Sequence, residues 1–120
     1  MNTQTEILLP CERLEAYHLA VDFHRNVVPL ARARGFANLR DQLLRASESA
    51  VLNIAEGAGL TSLRDKKHRY EIALGSIVEC GAVLDFLRNR EAISEMDYRR
   101  IRAMAIRNYQ ILSRLAAPPR

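Results

Sequence analysis

Two short stretches decide the fold of this chain: Ser49–Gly57 reads Ser-Ala-Val-Leu-Asn-Ile-Ala-Glu-Gly, and Ile72–Ser76 reads Ile-Ala-Leu-Gly-Ser. Both place small and polar residues inside apolar helical patterns, at positions where an ordinary helical bundle has leucine. Residues three, four and seven apart share one face of a helix. Ala46, one turn before the first stretch, shares such a face with Ser49, Ala50, Asn53 and Gly57. Such a face predicts close packing of another helix inside a bundle, in preference to a ligand site.

Helical spacing continues on both sides of these stretches, and nowhere does the period-two alternation of strands occur. The pattern predicts helices over about 12–28, 38–56, 62–89 and 94–115. Pro29 is expected to end or kink the first helix, and Gly57 to cap the second at its C-terminus. Ser62 and Ser94, each followed three residues later by an aspartate, predict N-terminal caps. Short connections favour an all-α, antiparallel up-down-up-down four-helix bundle.

The length of 120 residues suits a single domain. We expect a flexible N-terminal segment over 1–11, the four-helix bundle over 12–115 and an extended tail over 116–120. No run reaches the ~18–20 apolar residues that a membrane span needs, and the first ten residues lack the basic start of a secretory signal. These features predict a cytoplasmic protein without a membrane partner.

The residues that commonly carry chemistry do not form a recognisable site. Cys11 and Cys80 have neither a disulfide framework nor metal-type spacing, so they are expected to be free thiols. The three histidines lack ligand partners at suitable spacing. Antiparallel packing of the second and third helices would put Glu56 and Glu79 at opposite ends of the pair, too far apart for paired catalytic carboxylates. The sequence therefore predicts no enzyme activity, cofactor, metal or small-molecule substrate.

Positive charge is the best functional signal. The net charge is +4, and Lys66 and Lys67 are the only lysines, so arginine dominates. Arginine binds phosphate through two parallel hydrogen bonds, although a GC-rich genome also explains the bias. The candidate nucleic-acid contacts are Arg64, Lys66, Lys67 and Arg69 on the third helix and Arg99, Arg100, Arg107 and Arg114 on the fourth. An ordinary solvated polar face is the competing interpretation of both groups.

Positive charge at the start of a helix is unfavourable because it meets the positive end of the helix dipole, so the third-helix group needs compensation. Three further polar residues, Asn53, Glu56 and Glu79, lie in the helices and need partners if they are buried. If the second and third helices turn back near Leu60, Glu79 lies beside the beginning of the second helix. We therefore predict a structural polar network in which Glu79 pairs with Arg40 or Arg45.

The chain resembles the four-helix-bundle family of proteins encoded in intervening sequences of 23S ribosomal RNA genes. The motif residues that carry the resemblance are Asn53, Ile54, Ala55, Glu56 and Gly57, then Ile72, Ala73, Leu74, Gly75 and Ser76, with Glu79. Tyr17 and Val51 depart from the tryptophan and proline common in the family. The resemblance covers most of the chain and implies the bundle fold and assembly into rings, with pentamers the known form. It implies no reaction.

A related branch of that family comprises accessory factors of reverse transcriptases in diversity-generating retroelements, where basic surfaces contact nucleic acid. Two functions thus remain open for this chain. The first is a non-enzymatic, self-assembling scaffold or interaction protein, most simply a homo-pentamer. The alternative is an accessory protein that binds the backbone of RNA or DNA through its basic patches.

Overall fold

Four α-helices make up almost all of the structure, a computed structural model that describes residues 7–117. In chain order they are α1 (Glu15–Arg32), α2 (Ala37–Gly59), α3 (Leu63–Asn89) and α4 (Glu95–Ala116). A short 3-10 turn, Pro10–Arg13, precedes α1. No strand occurs within residues 7–117, and the predicted all-α class is confirmed.

The helices form an antiparallel bundle because every connection between them is short. Each helix packs against its neighbour in the chain, and α1 also packs against α4, which closes the bundle. The up-down-up-down topology predicted from the sequence is therefore correct. One end of the bundle contains the α2–α3 connection, which we call the turn end. The other contains the α1–α2 and α3–α4 connections, which we call the loop end.

A continuous apolar core joins the four helices. Its largest fully buried side chains include Phe23, Leu43, Ile54, Leu84, Leu87, Ile101 and Leu112. Burial of each such side chain stabilises the fold by roughly 1.5–3 kcal/mol. Four polar side chains are also buried within residues 7–117: Arg40, Ser47, Ser76 and Asn108. The Asn108 amide donates to the carbonyls of Met104 at 2.8 Å and Leu19 at 3.4 Å. Asn108 thereby links α4 to α1 with its polar group satisfied.

Two helix ends differ from the sequence expectation. Helix α1 continues through Pro29 to Arg32. Helix α2 continues past Gly57 to Gly59, so the prediction that Gly57 caps it is wrong. Gly57 is instead a buried interior position, and the helix ends where the Leu60 N–H donates to the Gly57 carbonyl at 3.2 Å. The two serine caps are confirmed, because Ser62 and Ser94 each accept from the N–H three residues ahead.

The ordered fold extends slightly beyond the expected limits of 12–115. Cys11 is buried within the 3-10 turn, and Ala116 is the last residue of α4, with Ala117 extended. The Glu12 carboxylate accepts from the Leu9 N–H at 2.8 Å, which holds the start of the turn. The remainder of the expected flexible segment and tail, 1–6 and 118–120, lies outside the described residues.

Candidate interaction surfaces

The motif residues form a polar seam between α2 and α3. The Ser76 hydroxyl donates to the Ser49 hydroxyl at 3.0 Å, and the Asn53 amide donates to the Ser49 carbonyl at 2.9 Å. The Arg69 guanidinium reaches Asn53 Oδ1 at 3.4 Å and Glu56 Oε2 at 3.5 Å. These side chains satisfy one another, so the polar residues of the motif link two helices.

Gly57 sets how closely α3 approaches α2. A Cβ added at this position would lie 2.7 Å from Cε1 of Tyr70, which is closer than packed side chains allow. Tyr70 is itself buried, so its ring has little room to move. Gly75, the other glycine of the motif, is different: a Cβ there would meet nothing within 4 Å. The first glycine is therefore required by packing within the bundle and the second is not.

The predicted partner of Glu79 is wrong. Arg40 donates to backbone carbonyls of Leu30, Gly35 and Ala92, and Arg45 forms its ion pair with Asp41 at 2.9 Å. Glu79 is exposed on α3 and forms no ion pair within residues 7–117. The error has a simple source. Equal distance from the turn located the neighbouring segment of α2, but it does not determine to which side of α3 a side chain points.

Two of the four basic candidates on α3 have structural partners. The Lys66 ammonium donates to the carbonyls of Gly57 at 3.0 Å and Ala58 at 2.9 Å, where α2 ends. Lysine at the C-terminal end of a helix dipole is favourable, so this contact compensates the charge at the start of α3. Arg69 belongs to the polar seam. Arg64 and Lys67 remain exposed beside His68, without an ion pair in the described part of the chain.

The arginines of α4 lie on the exposed surface, but most have acidic neighbours. Arg99 pairs with Glu95 at 3.0 Å, Arg100 with Asp97 at 3.4 Å and Arg107 with Glu15 at 3.6 Å. Arg114 is exposed and has no ion pair among residues 7–117. The α4 surface is therefore one of mixed charge, and its phosphate-binding capacity is lower than the arginine spacing alone indicates.

An apolar groove runs between α3 and α4, and we call it the α3/α4 groove. Its exposed side chains are Val78, Ile106 and Tyr109, at 57%, 40% and 45% exposure, with Gly81 and Ala82 on its floor. The sequence patterns did not predict this surface. The signal available in the sequence was a set of apolar residues on α3 and α4 outside the face that each helix turns to the core. Assigning one apolar face to each helix leaves these residues out.

A second apolar surface lies on the opposite side of the bundle, between α1 and α2. Leu52, 60% exposed, forms it with the half-buried Val21 and Val51. His24 and Glu48 border this α1/α2 patch, with 3.3 Å between Nε2 and Oε2. The bundle thus presents two different apolar surfaces on opposite faces.

The expected free thiols are confirmed, because Cys11 and Cys80 are both unpaired and buried. Burial, with a smaller contribution from the charge of Glu79, raises the pKa of Cys80 to about 12. A thiol so protonated is a poor nucleophile and a poor metal ligand. No group of three or more metal-ligating side chains occurs among residues 7–117. Nor is any helix in that range long and apolar enough to span a membrane.

The fold and the seam define an all-α four-helix bundle whose distinctive polar residues join two helices. The sequence profile of the 23S rRNA-intervening sequence protein family matches residues 12–114, and the chain belongs to this family. Among solved structures, the chain is similar to a protein of unknown function from the S23 ribosomal protein family of Bacteroides thetaiotaomicron. That match has a TM-score of 0.80 and 22% identity, covering 86% of this chain and 99% of the other. No curated protein matches the sequence significantly.

Proposed function

We propose that this protein is a non-enzymatic helical bundle that assembles with copies of itself into a closed ring, of about five subunits, and acts as a scaffold. The observation that carries the proposal is the exposed α3/α4 groove. Val78, Ile106 and Tyr109 keep large apolar areas in water on one face, and contiguous exposed apolar surface marks an interaction site. The pentameric size rests on the family resemblance.

A second copy fits this groove because the bundle carries a different apolar patch on its opposite face. Contact between the α3/α4 groove of one subunit and the α1/α2 patch of the next is a head-to-tail interface, which produces rings when the rotation closes. The charged side chains at the two surfaces are mixed. Arg102 and Asp85 both line the groove, and Glu48 borders the patch beside His24. An ion pair between Arg102 of one subunit and Glu48 of the next would add to the apolar contact.

The non-enzymatic role rests on the use of the motif residues. Ser49, Asn53, Glu56 and Ser76 are polar groups of the motif region, and each contacts another residue of the seam. Catalytic groups instead need an open position beside a substrate. The buried free thiols agree with a reducing compartment, and we place the scaffold in the cytoplasm.

Light scattering of purified protein tests assembly, with Ile106→Glu in the groove and Leu52→Glu in the patch. Wild-type protein is expected near five subunits, and each variant is expected to lose the ring while keeping its helical circular dichroism. Leu63→Glu is the matched control, because Leu63 is 72% exposed on the first turn of α3, outside both surfaces. A monomeric wild-type protein would contradict the proposal.

Mixing the two variants tests the head-to-tail geometry. Ile106→Glu retains an intact patch and Leu52→Glu an intact groove, so an equal mixture is expected to form a one-to-one dimer that cannot close. If the groove instead contacts another groove, Leu52→Glu alone would keep the wild-type mass and mixing would restore nothing.

A second candidate function is binding to the backbone of RNA or DNA at the start of α3. Arg64 and Lys67 favour it, because both are exposed and neither forms an ion pair in the described chain, although Asp65 and Glu71 line the same depression. Repetition of these charges around a ring would add avidity. Gel retardation of a structured RNA across increasing salt tests this function, with Arg64→Ala/Lys67→Ala beside the control Arg25→Ala/Arg45→Ala. Binding is expected to fall steeply with salt and to weaken only in the first variant. Equal losses in both variants would contradict a specific site.

A further inference from the structure

Two residues in an unusual backbone conformation lie in the two connections at the loop end of the bundle. Phe36 and Glu91 both have φ of 55°, and they are the only non-glycine residues with positive φ among residues 7–117. Side chains with a Cβ rarely adopt this left-handed region. Strain of this kind is kept where the surrounding structure imposes it, and such places are often functional.

Arg40 holds the two strained connections together. Its guanidinium donates to the Gly35 carbonyl at 2.6 Å, just before Phe36, and to the Ala92 carbonyl at 2.8 Å, just after Glu91. A third bond reaches the Leu30 carbonyl at 2.7 Å. Only 4% of Arg40 is exposed, so one buried side chain determines the relative position of both loops.

The result is a surface of aromatic rings and arginine. The guanidinium carbon of Arg90 lies 4.8 Å from the centre of the Phe36 ring. Phe86, one turn before Arg90 on α3, borders a shallow depression with Leu39 and Arg90. Phe36 and Phe86 are 37% and 54% exposed. We call Phe36, Phe86 and Arg90 the aromatic platform.

Two further arginines precede Phe36 closely in the chain. Arg32 and Arg34 are exposed at the end of α1 and in the following loop, and neither these two nor Arg90 forms an ion pair within residues 7–117. Glu91 is the adjacent acid. Asp41, early in α2, is already engaged by Arg45. The arginines here therefore differ from those of α4, most of which have acidic partners.

We propose that the aromatic platform binds unpaired bases of single-stranded nucleic acid, with Arg32 and Arg34 contacting the phosphates. Exposed aromatic faces stack on any base, and arginine adds cation–π attraction and backbone charge. A duplex keeps its bases stacked on one another and offers no free face to Phe86. This site lies at the opposite end of the bundle from Arg64 and Lys67, so it stands or falls independently of the proposed self-assembly and backbone binding.

Fluorescence anisotropy with a short labelled oligothymidylate and a duplex of equal length tests the platform. Wild-type protein is expected to bind the single strand about tenfold more tightly than the duplex. Phe86→Leu keeps a branched apolar side chain but loses the aromatic face, and is expected to weaken single-strand binding about tenfold. Phe86→Trp is expected to retain binding. Leu63→Ala, an exposed apolar change at the other end, is the control and should bind as wild type.

Three results would overturn the proposal: no single-strand binding by the wild type, equal affinity for duplex and single strand, or wild-type binding by Phe86→Leu. Circular dichroism of each variant checks its fold. Phe86 is 54% exposed, so its replacement should not unfold the bundle. Loss of binding in Arg64→Ala/Lys67→Ala but not in Phe86→Leu would assign nucleic acid to the start of α3. A change of solution mass in Phe86→Leu, without a change in binding, would assign the platform to a contact between proteins.

Discussion

The two ends of the bundle reverse the chain by different means. At the turn end, Ser62 caps α3 by accepting from the Asp65 N–H at 3.2 Å, and Lys66 caps α2. At the loop end, Phe36 and Glu91 adopt left-handed conformations, and buried Arg40 bridges two connections. The turn end uses ordinary local capping. The loop end instead contains two residues with strained backbone, and Arg40 fixes the arrangement of the two loops.

The contacts at the two ends also differ in the separation of their residues along the chain. Lys66 and the Gly57 carbonyl are nine residues apart, whereas Arg40 and the Ala92 carbonyl are 52 residues apart. Contacts of short separation can form with the α2–α3 hairpin alone. The bond from Arg40 to Ala92 needs α3 packed against α2, because Ala92 lies in the connection between α3 and α4. The loop end should therefore depend on the complete bundle, and the turn end should not.

Replacement of Arg40 should have the largest effect. Arg40→Leu removes the guanidinium donor from the carbonyls of Leu30, Gly35 and Ala92, of which Leu30 keeps the long bond from the Ala33 N–H at 3.4 Å. Each unsatisfied buried group costs roughly 1–3 kcal/mol. We expect the free energy of unfolding in urea to fall by about 3 kcal/mol. Arg45→Leu, one turn further along and exposed, should change it by less than about 0.5 kcal/mol. Equal effects would show that the bridge does not stabilise the loop end.

The two motif glycines provide a matched pair, since Gly57 is packed against α3 and Gly75 is exposed. Gly57→Ala places a Cβ against the buried Tyr70 ring, and we expect a loss of about 1–3 kcal/mol from overpacking. Gly75→Ala meets open space and removes a flexible residue from a helix, so it should stabilise by about 0.5–1 kcal/mol. Thermal and urea unfolding of both variants measure the contrast. A gain of stability in Gly57→Ala would refute close packing there.

Relief of strain at Glu91 should stabilise the loop end. The Ala92 N–H donates to the Leu87 carbonyl at 2.8 Å across the left-handed residue, the arrangement that usually has glycine at this position. Glu91→Gly removes the Cβ clash and is expected to raise the free energy of unfolding by about 0.5–1 kcal/mol. Asn89→Gly, inside the last turn of α3, is the control and should destabilise. A loss of stability in Glu91→Gly would show that the Glu91 side chain stabilises the loop by another contact.

The smallest expected effect is the pH dependence at the start of α4. The hydrogen bond from Arg99, reinforced by Arg88 and opposed by desolvation, lowers the pKa of Glu95. A carboxylate whose pKa is lowered in the folded state contributes stability above its unfolded pKa, and that contribution is lost as pH falls through the folded pKa. Urea unfolding at pH values on both sides of about 4.5 should therefore show less acid destabilisation in Glu95→Gln than in wild type. Glu71→Gln, without an ion pair in residues 7–117, is the control, and identical pH profiles for wild type and Glu95→Gln would refute the linkage.

Much of the fold could be predicted because its signals are local. The spacing of Leu43, Ile54, Leu84 and the other core residues follows the helical period, and the serine caps follow from residues three apart. The closely packed face around Gly57 was also predicted, although the prediction that Gly57 caps α2 was wrong. The contacts that surround Gly57 inside the helix come from Tyr70 and Lys66 of the next helix, and they have no local signal in the sequence of α2.

The candidate surfaces were predicted less completely. The arginine spacing on α4 identified exposed residues, but not Glu95, Asp97 and Glu15, which pair with three of them. Neither the α3/α4 groove nor the aromatic platform was foreseen. Phe36, Phe86 and Arg90 come from two connections and a helix, and their separation in the chain gives no periodic signal.

The sequence by itself determined the four helices, the capped helix starts and the apolar faces that form the core, because these depend on spacing within a few residues. Tertiary structure alone decided which charges are free and which are used internally. Lys66 and Arg40 donate to backbone carbonyls, and a carbonyl is the same group at every residue. The type of the acceptor residue therefore does not predict the bond, and only the folded backbone brings donor and acceptor together.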